Sequence, residues 1–315
     1  MKNKPVLLLI LPFLLTSCSS SVQSKIYCFD TFATIELFDG KKKDVEAIEN
    51  IFYTYDKLTD NYHDRGVNNL YTINHTNDEV VVSPELYEMF KKMMSSEINS
   101  LPHFDVLCGN LTKLWKEAIE KNEVLDYVIV SDEVLKMYNT TYQTLDNSVI
   151  KRTGETELDF GAIAKGYTLD KVYSYLDANK LHKYIINAGS SSILLGEKNN
   201  KTGLFNIGLE DLDNAYLQLK NCFISTSSIS KQSVVIDGVT YCHIIDPYSG
   251  SATPVNDAVV VITQNGMFGD ALSTSMMHCT LEEIKKLETL IYMKILVIND
   301  GQITYQSKGL EVFYH

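Results

Sequence analysis

Two short turn signals constrain this fold more than anything else in the chain. Asp237-Gly238 separates the β-rich runs 234–236 and 239–245, and Asn299-Asp300-Gly301 separates 291–298 from Ile303-Thr304-Tyr305. Turns this tight join antiparallel neighbours, because a parallel crossover needs a dozen residues or more. Further extended runs are read at 184–187, 193–195, 205–209, 222–225 and 258–262, and residues 26–38 read as a strand pair broken at Asp30-Thr31. Helices are expected over 43–58, where Val45, Ile48, Ile51, Phe52 and Tyr55 recur at 3.6-residue spacing, and from Ser83-Pro84, which turns Leu86, Met89, Phe90 and Met93 inward. A short strand at 157–160 is expected to lead into a helix ending near Lys180, and another helix to start near Gly269. This order predicts an α+β fold with largely antiparallel sheets and flanking helices, not a doubly wound parallel sheet.

The first residues are expected to lie outside that fold. Lys2 and Lys4 precede an apolar run over 6–15, too short to span a bilayer core of about 30 Å. Leu15-Thr16-Ser17-Cys18 reads as a lipobox, in which the cysteine becomes the acylated first residue. The expected division is a signal peptide over 1–17, a lipidated tether over 18–24 and a folded domain over 25–315. The expected location is extracytoplasmic, anchored to a membrane through Cys18. Without Lys2 and Lys4 the formal charge of −12 becomes about −14, which argues against nucleic acid as a partner. A phosphate-bearing ligand would need local lysines, backbone N–H groups or a metal. The five cysteines after Cys18 cannot all pair, none forms a CxxC, and their spacing gives no zinc or redox framework; buried free thiols are expected.

Three segments carry residue types suited to chemistry. In the run 158–167, Gly161 turns the chain into a helix whose first N–H groups would welcome phosphate, with Lys165 one turn in. The bland alternative is a turn into an amphipathic helix with a solvated lysine; this is not a Walker loop, since no GK[ST] is present. In Gly269-Asp270-Ala271-Leu272-Ser273-Thr274, the four-residue spacing puts Asp270 and Thr274 on one helical face with Ser273 alongside. That hard-oxygen set suits magnesium, or merely caps a helix. In the run 243–250, a strand enters a turn set by Asp246-Pro247, and His243 is the natural general-base candidate, unless it is simply a structural histidine.

Taken together these segments resemble the ApbE family of FAD:protein FMN transferases. The resemblance is collinear over nearly the whole chain after the leader. Phe29-Asp30-Thr31-Phe32-Ala33-Thr34 is similar to the family's opening "MGT" strand, followed by the run 56–62 and Ile73-Asn74. His103-Phe104-Asp105-Val106 with Gly109, Leu111, Leu114 and Trp115 is similar to "FDiTvgpLvnLW". The three chemical segments match "LDlGgIAKGYavD", "HIIDPrTG" and "ADALSTa".

The resemblance implies roles for particular positions. Phe29, His103, Phe104, Asp105, Asp159, Lys165 and Ile245 would contact FAD. The Ala162 carbonyl would join Asp270, Ser273 and Thr274 around magnesium, and His243, helped by Asp246, would deprotonate an acceptor threonine. The implied reaction moves FMN from FAD to that threonine of a partner protein and releases AMP. Water as acceptor would make the protein a magnesium-dependent FAD pyrophosphatase, and absence of turnover would leave a flavin-binding lipoprotein. Three departures bear on this: Phe29 stands at the family's first-strand methionine position, where an apolar contact is kept, and two glycine positions hold serine. Ser190 stands in the family's "NxGGd" turn, where a left-handed backbone would strain it, and Ser228 stands where "STSGxY" has glycine.

Overall fold

Three tight turns with left-handed backbone close three antiparallel hairpins. Asp237-Gly238 and Asp300-Gly301 have positive φ at both positions, as a type I′ turn requires, and so does Phe29-Asp30. The last turn begins one residue earlier than the sequence suggested, because Cys28 pairs directly with Thr31.

The computed structural model describes residues 21–230 and 232–315. The signal peptide and Cys18 therefore lie outside the described residues. In chain order the elements are β1 Val22–Cys28, β2 Thr31–Leu37, α1 Lys42–Thr59, α2 Leu70–Asn74, β3 Glu79–Val81, α3 Pro84–Met93, α4 Ser96–Asn99, α5 Gly109–Lys121 and α6 Tyr127–Tyr138. Next come β4 Thr141–Leu145, β5 Val149–Thr153, α7 Ala164–Ala178, β6 Tyr184–Ala188, β7 Ser192–Leu195, β8 Phe205–Gly208, β9 Ala215–Leu219 and β10 Cys222–Ser228. The chain closes with β11 Ser233–Ile236, β12 Val239–Cys242, β13 Ala258–Thr263, α8 Gly266–Met276, α9 Leu281–Leu290, β14 Lys294–Asn299, β15 Gln302–Gln306 and β16 Val312–Tyr314. Strand β1 starts inside the span 18–24 assigned to the tether, and Val22 pairs with Leu37. Among the described residues no helix is long and apolar enough to cross a membrane.

The main sheet has the order β1-β2-β6-β7-β10-β13-β14-β15. Every adjacent pair in it is antiparallel. Its central strands are covered on both faces, so they read as continuous apolar runs rather than alternating ones. Val259, Val261, Ile295 and Val297 face the core shared with α3 and α8, whereas Val260, Ile262, Leu296 and Ile298 face a second core with Phe205 and Leu217. The fold is thus α+β with a large antiparallel sheet and flanking helices, as expected.

Several boundaries differ from the expectation for identifiable reasons. Residues 157–160 join no ladder. Their backbone is held instead by side chains and a loop: Leu158 N–H and C=O bond the Asn74 side chain at 2.8 Å each, and Asp159 N–H bonds the Val106 carbonyl at 2.8 Å. Strand β12 stops at Cys242, short of residue 245. Helix α8 starts at Gly266 rather than Gly269, with the Asn265 side chain accepting from Phe268 N–H as its N-cap.

Helices α7 and α8 cross at two glycines. A Cβ on Gly166 would lie 2.1 Å from the Gly266 carbonyl oxygen, and one on Gly266 would lie 2.4 Å from that of Gly166. Both obstacles are backbone atoms, which cannot rotate away. The crossing is pinned by Asp170, which accepts from Gly266 N–H at 2.6 Å and Met267 N–H at 3.0 Å. Gly166→Ala should therefore destabilise the protein by about 3 kcal/mol, at the upper end of ordinary overpacking costs. A urea midpoint equal to the wild type's would contradict this packing.

Candidate functional site

A cleft of about 710 Å³ opens where the β1–β2 turn, the segment 103–112 leading into α5, the entry to α7, the β6–β7 turn, β10 and α8 converge. Phe29, His103, Phe104, Asp105, Asp159, Ala162, Lys165, His243, Ile245, Asp270, Ser273 and Thr274 all line it. The structure thus brings together the described side chains singled out from sequence, with one exception. Asp246 is not among the lining residues. Its Oδ1 accepts from Tyr248 N–H and faces His103 Nδ1, each at 3.2 Å, and its Oδ2 accepts from Ser249 Oγ at 2.5 Å. Burial works to raise the Asp246 carboxyl, but these hydrogen bonds outweigh it and hold the group below its usual range. With its oxygens so engaged, Asp246 is a group that positions His103, not a free base.

Asp270 anchors the opposite wall. Its carboxylate accepts from Gly166 N–H at 2.7 Å, Ser225 Oγ at 2.6 Å and Ser192 Oγ at 2.9 Å. Burial pushes its carboxyl up, opposed by the charge of Lys165 and by these three donors. Ser273 Oγ sits 2.9 Å from Ser227 Oγ, which lies 3.5 Å from Thr274 Oγ1. Gly166 N–H turns to Asp270 instead of the Ala162 carbonyl one helical turn back, and among the described residues no donor bonds that carbonyl. One carboxylate, one unclaimed carbonyl and two hydroxyls form an all-oxygen set of the kind magnesium takes. Ser192, Ser225 and Ser227 went unassigned in the sequence reading; only the fold shows that β7 and β10 run under α8.

The phosphate-welcoming helix end needs correction. Helix α7 begins at Ala164, and its nearby N–H groups are mostly spent inside the protein. Gly161 N–H bonds Asp159 Oδ1, the N–H groups of Ile163 and Ala164 both bond the Phe160 carbonyl, and Gly166 N–H bonds Asp270. Anion attraction at this wall falls chiefly to the Lys165 ammonium, which makes no ion pair among the described residues and whose charge is felt at Asp270, His243 and Cys28. His243 is half-buried, with Nδ1 3.3 Å from the Gln232 carbonyl, and burial lowers its pKa below the usual imidazole value. Asp105 and Asp159 are both pushed up by burial.

Comparison with known proteins places the chain in a family. A sequence model described as "ApbE family" matches residues 29–293, most of the chain. The chain belongs to the ApbE family. A protein of Klebsiella pneumoniae (strain 342) named FAD:protein FMN transferase is 29% identical over 65% of this chain and 65% of its own length. One of the same name from Treponema pallidum (strain Nichols) is 25% identical over 62% of this chain and 60% of its own. The chain thus spans just under two thirds of the length of each. In fold, the crystal structure of the ApbE protein of Thermotoga maritima aligns with a TM-score of 0.76 at 22% identity, covering 92% of this chain and 97% of that one.

The two glycine departures from the ApbE pattern have different consequences. Ser228 has ordinary backbone, and its hydroxyl donates to Asp211 Oδ1 at 2.7 Å. Ser190 has φ 65° directly after Gly189 at 70°, and its N–H donates to Asn187 Oδ1 at 2.7 Å. A non-glycine residue there costs about 1–2 kcal/mol, against roughly 0.5–1 for the flexibility of glycine in the unfolded chain. Ser190→Gly should accordingly stabilise the protein by about 0.5–1 kcal/mol, measured by denaturant unfolding; a clear loss of stability would show that the hydroxyl matters more than the strain.

Proposed function

We propose that this protein transfers FMN from FAD to a threonine hydroxyl of an acceptor protein, with magnesium, forming a phosphoester and releasing AMP. The observation that carries the reading is that a single cleft gathers Lys165, an all-oxygen cation set and a half-buried histidine, in a chain of the ApbE family. The names of its curated relatives support the flavin chemistry. Phe29, Phe104 and Ile245 offer apolar surface for the flavin ring, while Lys165 offers charge to the diphosphate.

In this mechanism Ala162, Asp270, Ser273 and Thr274 would hold the magnesium. When bound, it would neutralise diphosphate charge and make AMP a better leaving group. His243 accepts the threonine proton through a ring nitrogen as the hydroxyl oxygen bonds the FMN-side phosphorus. The bond from that phosphorus to the bridging oxygen breaks, and AMP departs with the bonding pair. Lys165 stabilises charge growing on the phosphate oxygens. Asp246 acts at one remove, holding His103 at the cleft wall. The leader and lipobox support an extracytoplasmic enzyme anchored through Cys18. Cys18→Ala should then leave the protein soluble or uncleaved, and unchanged acyl labelling would refute the anchor.

Purified protein mixed with FAD, magnesium and a partner bearing a flavinylation motif should yield a partner carrying one FMN on threonine, read by mass spectrometry. Free FMN and AMP with an unmodified partner would replace this reading with hydrolysis, and neither product would replace it with binding alone. Asp270→Ala should abolish the magnesium-dependent reaction. Lys165→Ala should weaken FAD binding about 10–100-fold, since most of the helix N–H groups beside it are already spent. Wild-type affinity in that variant would exclude the lysine from the diphosphate.

His243→Ala should slow transfer by about 10²–10⁴-fold while sparing FAD affinity. Burial depresses the folded-state pKa of His243, so the ring stays neutral, and able to accept a proton, below its ordinary value of 6.5. As pH rises, kcat/KM should therefore climb through a limb centred below 6.5 and be level by neutrality. A limb centred above 6.5, or one that survives in His243→Ala, would assign the base elsewhere.

A further inference from the structure

His103 converges with Cys279 and Glu283, which stand four residues apart around the start of α9, although it is far from them in the chain. One nitrogen of His103, the Cys279 sulfur and one Glu283 oxygen all lie within 4.8 Å of one another. His103 Nε2 is 3.8 Å from Glu283 Oε1. We propose that these three side chains bind one divalent cation of the zinc class, at a position separate from the all-oxygen set around Asp270. The sequence reading excluded a zinc framework from cysteine spacing alone. That reasoning covers sites built from several cysteines, not one assembled across the fold.

The chemistry of each group fits. His103 Nδ1 faces Asp246 Oδ1 at 3.2 Å, so that ring nitrogen is already engaged by a side chain. Nε2 is the nitrogen turned toward Glu283. A carboxylate behind a histidine, fixing its tautomer and ring plane, is the usual support for a metal-binding imidazole. Glu283 is divided in a similar way. Its Oε2 closes the α9 capping box, accepting from Thr280 N–H and Oγ1 at 2.8 Å each, and its Oε1 remains for the cation. Cys279 is fully buried, and its thiol makes only a weak contact of 3.5 Å to the Ser275 carbonyl.

Zinc bonds of about 2.0–2.3 Å place tetrahedral ligand atoms roughly 3.3–3.8 Å apart. The nitrogen–oxygen pair already meets that spacing, and the sulfur needs a shift of about 1 Å at most. Binding would replace the S–H by a sulfur–metal bond and release its proton to solvent. One nitrogen, one sulfur and one oxygen leave a fourth position for water. Because His103 also lines the flavin cleft, the ion would tie the first turn of α9 to that wall.

Cobalt(II) is the probe, since a thiolate ligand gives it a charge-transfer absorption that oxygen ligands do not. The purified protein in excess magnesium, titrated with cobalt, should develop this band to one equivalent and lose it to added zinc. Cys279→Ser should abolish the band. Glu283→Gln keeps the capping box and lies at the surface, so it should fold normally while weakening cobalt at least tenfold. A wild-type protein without the band at saturating cobalt, a band that persists in Cys279→Ser, or unchanged affinity in Glu283→Gln would each overturn the site. None of these outcomes depends on flavin turnover.

Discussion

The contact between Gly166 and Gly266 is the constraint on which the site depends. Two helix backbones meet there with no room for a methyl group on either side. At that separation Asp270, on the next turn of α8, reaches the Gly166 N–H, and Asp170, on the next turn of α7, reaches the N–H groups at the start of α8. Each helix thus holds the other by a carboxylate. Asp270 extends the connection into the sheet, because the same carboxylate gathers Ser192 from β7 and Ser225 from β10. Widening the crossing would disconnect all three layers at the point where they build the cleft wall.

That arrangement also decides the electrostatics. The chain is acidic overall, and Asp105, Asp159 and Asp270 stand around one cleft. Such a wall would repel a phosphorylated ligand unless positive charge were supplied locally. Lys165 supplies some, and it reaches both Asp270 and His243. A cation held by the oxygens near Asp270 would supply the rest. The buried carboxylate and the donor-free Ala162 carbonyl therefore share a cause. Diverting one helix N–H to the carboxylate both steadies the acid and exposes the carbonyl.

Much of this was readable in the sequence, for reasons that differ by element. The Asp-Gly turns specified antiparallel pairing, α1 and α3 displayed their apolar faces at helical spacing, and Ser83-Pro84 marked the start of α3. The cleft residues were found through ordered motifs, since function fixes residue type where packing does not. Helix α6 was missed because Tyr127, Val128, Leu135 and Tyr138 face solvent, so its apolar residues trace no single stripe. Strands β3 and β16, of three residues each, are too short to establish a period. The true start of α7 was hidden by Gly161, a natural helix opener by type, whose N–H is claimed by Asp159. Local rules reveal which groups are available, whereas tertiary contacts decide which are already taken.

Strain in the cleft follows the same logic. Phe29 and Asp30 both have left-handed backbone in a two-residue turn, where glycine or asparagine would be usual, and Ser190 has it in the facing turn. Neither turn is left to relax. Phe29 N–H is held by Asp56 Oδ1 at 2.6 Å, and its ring meets Phe52 edge-on at 6.5 Å between centroids. Ser190 N–H is held by Asn187 within the same turn. Both strained turns line the cleft, and the surrounding hydrogen bonds over-determine them. A left-handed residue directs its side chain where an ordinary strand residue could not. In the β1–β2 turn this sets an aromatic ring at the mouth of the site, which a glycine of lower strain could not supply.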